Sequence, residues 1–159
     1  MNSEKLKPPQ ELAQIRDAMD ATGQRIVFTN GCFDLLHVGH VRYLQAAREL
    51  GDALVVAVNG DASVRSLKGE GRPINTASDR VEVLAALECV NFVTVFPEVR
   101  VTSILRLIRP HVYAKGGDYT VDRLDPGERS VLEKIGAEIE ILPLIPGRST
   151  TKMIQSWQN

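Results

Sequence analysis

Short apolar runs alternate with helix-period segments along nearly the whole chain, and this alternation restricts the fold more than any other feature. Ile26–Thr29, Ala53–Val58, Phe92–Phe96, Val112–Ala114 and Glu138–Leu142 read as strands. Several of them are apolar at consecutive positions, so both faces of the sheet they build must be covered. Between them, Val38–Leu50, Asp61–Leu67, Ala77–Glu88, Val101–Ile108 and Pro126–Ile135 have helical spacing, and Thr150–Trp157 adds a last helix. Gly51 and Gly136 follow two of these helices as stops, and Thr76 or Ser78 stands where an N-cap belongs. The pattern predicts an α/β fold: a parallel sheet with helices on both faces. Gln10–Ala21 is a further helical segment, with Leu12, Ile15, Ala18 and Met19 at helical intervals. Residues 1–24 are expected to form a helical extension packed on a main domain of residues 25–159, and 159 residues suffice for one real core.

Composition narrows the function. With 43% apolar and 25% charged residues the chain has the make-up of a soluble globular protein. A net charge of −1 provides no broad attraction for nucleic acid or an anionic membrane, so neither is expected as a partner. Any anion must be held locally. No run of eighteen apolar residues could span a bilayer, and Met1–Pro9 lacks the apolar core of a signal peptide. Two cysteines, Cys32 and Cys89, make no disulfide framework. A cytoplasmic location is expected.

Parallel sheets of this class bind ligands at the carboxyl ends of their strands, and the glycine-rich and polar segments fall there. The first runs from Asn30 through Gly31, Cys32, Phe33 and Asp34 to His37, Gly39 and His40, between a strand and a helix start. That junction aims backbone N–H groups and the positive end of a helix dipole at one spot, which suits an anion. The two histidines, three residues apart, would face the same spot. Gly31-Cys32-Phe33 breaks the G-x-G-x-x-G dinucleotide fingerprint, and no G-x-x-x-x-G-K-[ST] phosphate loop is present. Zinc on Cys32, His37 and His40 is a competing reading, but the histidine spacing is not i, i+4 and no fourth ligand follows. The plainest alternative makes His37 a helix cap and His40 a packed surface residue.

Three later segments could complete a site. Lys68-Gly69-Glu70-Gly71-Arg72 reads as a polar loop whose Lys68 could close over a phosphate, with Arg80 on the next helix as a weaker cation of the same kind. In Lys115-Gly116-Gly117-Asp118-Tyr119, adjacent glycines let a nucleoside lie against the backbone, and Asp118 could accept from hydroxyls. Arg148-Ser149-Thr150-Thr151 opens the last helix with more hydroxyls than capping requires, a second anion site. Each also has a plain reading as an ordinary loop, turn or cap.

Taken in order from about Arg25 to Ile154, these segments resemble the nucleotidyltransferase family marked by a His-x-Gly-His signature, and within it the heptose 1-phosphate adenylyltransferase branch. The resemblance implies a Rossmann-like five-stranded parallel sheet of order 3-2-1-4-5. It implies transfer of AMP from ATP to D-glycero-β-D-manno-heptose 1-phosphate, giving ADP-heptose and pyrophosphate for lipopolysaccharide core synthesis, with no covalent enzyme intermediate. His37, His40 and Lys68 would serve the phosphates. Asn30, Gly31, Cys32, Phe33 and Asp34 would line the meeting point of the substrates. Gly117 and Asp118 would hold the nucleoside, and Arg148, Ser149, Thr150 and Thr151 the outer phosphates. Cys32 would be a wall residue. Magnesium would arrive on the triphosphate, with no dedicated protein ligands, and a homodimer or higher homo-oligomer is expected. Two further functions compete: a CTP-dependent enzyme acting on glycerol 3-phosphate or a similar polyol phosphate, and an inactive nucleotide-binding module, against which the intact His37 and His40 speak.

Overall fold

Phe28 and Val27 point to opposite faces of one strand, and each is fully buried under its own layer of helices. The computed structural model describes residues 4–117, 120–143, 147 and 149–158. Its strands are β1 (Ile26–Gly31), β2 (Ala53–Asn59), β3 (Phe92–Phe96), β4 (Val112–Gly116) and β5 (Glu138–Leu142). They form one sheet in the order β3-β2-β1-β4-β5, every pair parallel. This is the α/β, Rossmann-like architecture and strand order expected above. All seven residues of β2 are buried, the direct outcome of its unbroken apolar sequence.

On one face lie α1 (Pro9–Ala21), α5 (Thr102–Ile108) and α6 (Pro126–Ile135), packed through Leu12, Leu105 and Leu132 onto Phe28, Val55 and Tyr113. On the other lie α2 (Val38–Arg48) and α4 (Ala77–Ala85), where Tyr43, Leu44 and Leu84 meet Val27, Leu54 and Val56. Each fully buried aliphatic side chain contributes about 1.5–3 kcal/mol relative to exposure, so the two layers hold the sheet's end-on geometry firmly. α3 (Asp61–Lys68) follows β2, a 3₁₀ turn (Val121–Arg123) follows β4, and α7 (Thr150–Gln158) follows β5. Gly51, between α2 and β2, has no room for a side chain: a Cβ there would sit 2.8 Å from both the Arg25 carbonyl oxygen and Val27 Cγ2.

The segment before β1 is tied into the same core. Lys7 N–H donates to the Val93 carbonyl at 3.0 Å and Val93 N–H to the Lys5 carbonyl at 2.8 Å, covering the outer edge of β3. Leu12 is fully buried. His111 accepts the Ile26 N–H on Nδ1 at 3.0 Å, which leaves Nε2 to donate to Asp20 at 2.9 Å and link α1 to β1. That hydrogen bond, with Arg16 nearby, lowers the Asp20 carboxyl below its ordinary range. Among the described residues no helix is long and apolar enough to cross a membrane.

Candidate active site

A cavity of about 540 Å³ opens at the carboxyl ends of the strands. Its first wall is the β1–α2 loop, whose shape follows from a tight set of internal bonds. Phe33 has a φ of 48°, the left-handed region that a bulky residue occupies only when its surroundings impose it. Its ring lies against Gly31, where a Cβ would approach Phe33 Cε2 to 3.0 Å, and packs beside the His40 ring at a centroid distance of 5.7 Å. Gly31 and Phe33 therefore constrain each other, and together they fix one side of His40.

The two histidines begin α2 as a reciprocal cap. His37 Nδ1 accepts the Gly39 N–H at 3.1 Å, while His40 Nδ1 accepts the His37 N–H at 3.3 Å. Both Nδ1 atoms act as acceptors, so in the neutral rings the proton resides on Nε2. The rings lie 4.0 Å apart, centroid to centroid, and both line the cavity. Burial, followed by the nearby His37, brings the His40 pKa down to about 4. His40 is thus a neutral N–H donor at physiological pH. The cap reading of His37 holds together with a place at the cavity.

Asn30, Cys32, Asp34, Lys68, Ser149, Thr150 and Thr151 also line the cavity. Lys68 is the last residue of α3, a helix end and not part of the loop that its neighbours form. Burial pushes the Cys32 thiol above its ordinary range despite Lys68, Arg80 and Arg72, which keeps it protonated and a poor nucleophile. Ser149 Oγ accepts the Lys152 N–H at 3.1 Å as the cap of α7, and Thr150 donates its hydroxyl proton to the Leu35 carbonyl at 2.8 Å. That second bond ties the α7 N-terminus to the histidine loop. The first backbone N–H groups of α7 lack partners within the helix, and Ser149, Thr150 and Thr151 at that start line the cavity.

Asp34 and Arg80 serve the walls. Asp34 is 4% exposed, and its carboxylate accepts from Arg72 Nε at 2.8 Å and from the Ile74 and Asn75 backbone N–H groups at 2.9 Å. Burial raises its pKa, but these donors outweigh burial and the net shift is downward. Arg80, 1% exposed, is absent from the cavity lining. Its guanidinium donates to the carbonyls of Cys32 at 2.7 Å, Asn59 at 2.8 Å and Asn75 at 3.1 Å, and to Asp61 Oδ1 at 2.8 Å. One side chain thereby holds the ends of β1 and β2 to the 72–75 loop. Gly117 is buried with a φ of 133°, donates its N–H to the Leu142 carbonyl at 3.0 Å, and also lies outside the cavity lining. Asp118, Tyr119 and Arg148 lie outside the described residues.

Other lining residues carry no motif. Tyr43 donates to the Ala114 carbonyl at 2.9 Å and so receives the Thr29 hydroxyl proton at 2.6 Å; burial raises its pKa to about 12. Asn59 comes from the end of β2, Glu128 from the first turn of α6, Arg72 from the loop before α4, and Val99 and Arg100 from the loop between β3 and α5. They share no local sequence signal; the chain's turns bring them to the same end of the sheet. Among the described residues no group of three or more His, Cys, Asp or Glu is gathered to hold a metal. The cavity offers imidazole, ammonium, guanidinium and hydroxyl groups, a set that suits phosphates and a cation brought in by them.

Comparison with known proteins places the chain in a family. Residues 28–156 match the family model described as cytidylyltransferase-like. The chain is 50% identical over 151 residues to the bifunctional protein HldE of Geobacter sulfurreducens, covering 95% of this chain and 30% of that protein. With HldE of Pelobacter propionicus the identity is 48% over 151 residues, again covering 95% of this chain and 30% of the relative. The chain therefore spans about a third of the length of these curated relatives. Among solved structures, a lipopolysaccharide core biosynthesis protein from Thermoplasma volcanium superposes with a TM-score of 0.63 at 28% identity, covering 77% of this chain and 98% of that one. The chain belongs to the cytidylyltransferase-like family of nucleotidyltransferases.

Proposed function

We propose that this domain transfers AMP from ATP to D-glycero-β-D-manno-heptose 1-phosphate. A phosphate oxygen of the sugar attacks the α-phosphorus of ATP in line; the bond between the α-phosphorus and the bridging oxygen breaks, and pyrophosphate leaves with that oxygen. The observation that carries this reading is the convergence of donors without an activated nucleophile. His37 and His40 share one cavity with Lys68 and the start of α7, while Cys32 is held as a thiol. Transfer between two phosphates needs alignment and charge stabilisation, which such a set supplies.

In this reading His37 and His40 donate from Nε2 to phosphate oxygens, most strongly as charge moves onto the leaving pyrophosphate. A neutral His40 can do this without gaining a proton. Lys68 neutralises the same region, and Ser149, Thr150 and Thr151 receive the outer phosphates beside the α7 N-terminus. Arg148 adds charge there. Asn30, Gly31, Cys32 and Phe33 form the meeting point, and Gly117 with Asp118 shapes the nucleoside's seat. Asp34 and Arg80 act on the substrates through the backbone they hold. Magnesium bound to the triphosphate supplies further charge neutralisation.

The choice of heptose and ATP is supported by the Lys115-Gly116-Gly117-Asp118-Tyr119 segment and by relatives named HldE at about half identity. A cytoplasmic enzyme acting as a homodimer completes the reading; sedimentation velocity tests the dimer. The reaction is tested by pyrophosphate release with ATP or CTP, each crossed with heptose 1-phosphate and glycerol 3-phosphate in magnesium. Turnover is expected for ATP with the heptose. Turnover with CTP alone would replace this reading with the cytidylyltransferase.

A further inference from the structure

Glu128 is 4% exposed yet lines the cavity. Among the described residues its carboxylate accepts one hydrogen bond, a long one of 3.4 Å from Val101 N–H. A buried carboxylate ordinarily requires an ion pair or several donors, and one long bond from Val101, the residue just before α5, falls short of that. The α6 N-terminus is already capped by Asp125, whose Oδ1 accepts from Gly127 N–H and Glu128 N–H at 3.0 Å each. Nor does Tyr113 supply the missing donor. Its hydroxyl proton goes to Asn30 Oδ1 at 2.9 Å, and burial, then the charge of Glu128, pushes the phenol's pKa upward.

The same bond orients Asn30. With Oδ1 occupied by Tyr113, its amide N–H₂ remains to donate, and Asn30 also lines the cavity. A carboxylate acceptor and an amide donor thus stand at the wall formed by β1, β4 and α6, on the face of the sheet opposite α2. A carboxylate repels phosphate, so this wall is unsuited to either substrate's phosphates. It suits neutral hydroxyls, which donate to the carboxylate and accept from the amide.

We propose that Glu128, with Asn30 oriented by Tyr113, is the subsite for the hydroxyls of the acceptor sugar and determines specificity for a polyol. This assignment rests on the cavity being the nucleotidyl-transfer site. The phosphate end of the acceptor then lies towards the histidines and its hydroxyls towards α6. Hydrogen bonds to a charged group are among the stronger ones a sugar can make, and Glu128→Gln removes the charge at nearly constant volume.

The test is calorimetric titration of heptose 1-phosphate and, separately, of magnesium-ATP into wild type and Glu128→Gln, with wild-type turnover measured alongside. A rise of 10-fold or more in Kd for the sugar phosphate, with the ATP Kd within about 2-fold of wild type, is expected. Unchanged sugar binding, or a loss confined to ATP or shared equally with it, would overturn the assignment. So would a wild type that does not bind the sugar phosphate. Wild-type binding without turnover, together with the selective loss in the variant, supports the subsite while sinking the transfer reaction. Should Glu128→Gln fail to fold, Glu128→Asp withdraws the charge by one methylene and carries the same expectations.

Discussion

His40 Nδ1 accepts the backbone N–H of His37 at 3.3 Å, so a side chain placed at the cavity is also part of the cap that starts α2. The bond fixes the tautomer, and burial holds the ring neutral. Titration of the His40 ring by NMR is expected to give a midpoint near 4, well below the 6.5 of an unperturbed histidine. The unfolded chain binds a proton at higher pH than the native state, so stability falls as pH drops from about 6.5 towards 4. A midpoint of 6 or above would refute the buried, neutral assignment.

The double role of His40 predicts two separable losses. His40→Ala is expected to lower turnover by about 100-fold or more, as for removal of a transition-state donor. It should also lower unfolding free energy by about 1 kcal/mol through the lost cap. His40→Gln restores the reciprocal cap, because glutamine at this position can reach back to the same N–H. Urea unfolding and steady-state turnover of both variants separate the effects. Unchanged turnover in His40→Ala would make the histidine purely structural.

Arg80 predicts the reverse balance. Arg80→Ala withdraws donors from the carbonyls of Cys32, Asn59 and Asn75 in a buried setting, at about 1–3 kcal/mol for each group left without a partner. Denaturant unfolding is expected to show a loss of about 3 kcal/mol or more. Arg80→Lys keeps the charge but cannot span all these acceptors, so its loss should be intermediate. If Arg80→Ala keeps wild-type stability and only the KM for ATP rises, Arg80 touches the nucleotide directly.

Asp34 ties the 72–75 loop to the histidine loop, and its lowered pKa sets the sign of a pH effect. Its contribution is present above the ordinary carboxylate pKa of about 3.9 and is lost as pH falls through the lower native value. Asp34→Asn turns an acceptor into a partial donor facing two N–H groups. Hydrogen exchange at Ile74 and Asn75 is expected to speed at least 10-fold at neutral pH in this variant. Unchanged protection would assign those amides to other acceptors.

The strands, the helices and most of the segments that line the cavity are legible in the sequence because each has a local cause: apolar runs, helical spacing and glycine turns. The sheet order came from resemblance, and the β pairing bears it out. What local patterns could not reveal is which groups meet across the fold. Arg80 reads as a surface cation at a helix start, yet its partners lie 5 to 48 residues away in sequence. Asp34 reads as a ligand to substrate and proves to accept from backbone N–H groups 40 and 41 residues further on. Glu128 stands beside Arg129 in a polar helix start, and nothing local marks it as buried at 4% exposure on the cavity wall. The edge pairing of Lys5 and Lys7 with Val93 likewise has no local signature.

The most direct test of the account follows one phosphorus atom. ATP labelled at the α-phosphorus is incubated with heptose 1-phosphate, magnesium and the protein, and the products are separated. The label is expected to move into ADP-heptose while the pyrophosphate released is unlabelled. Label retained in ATP, or found covalently on the protein, would contradict it.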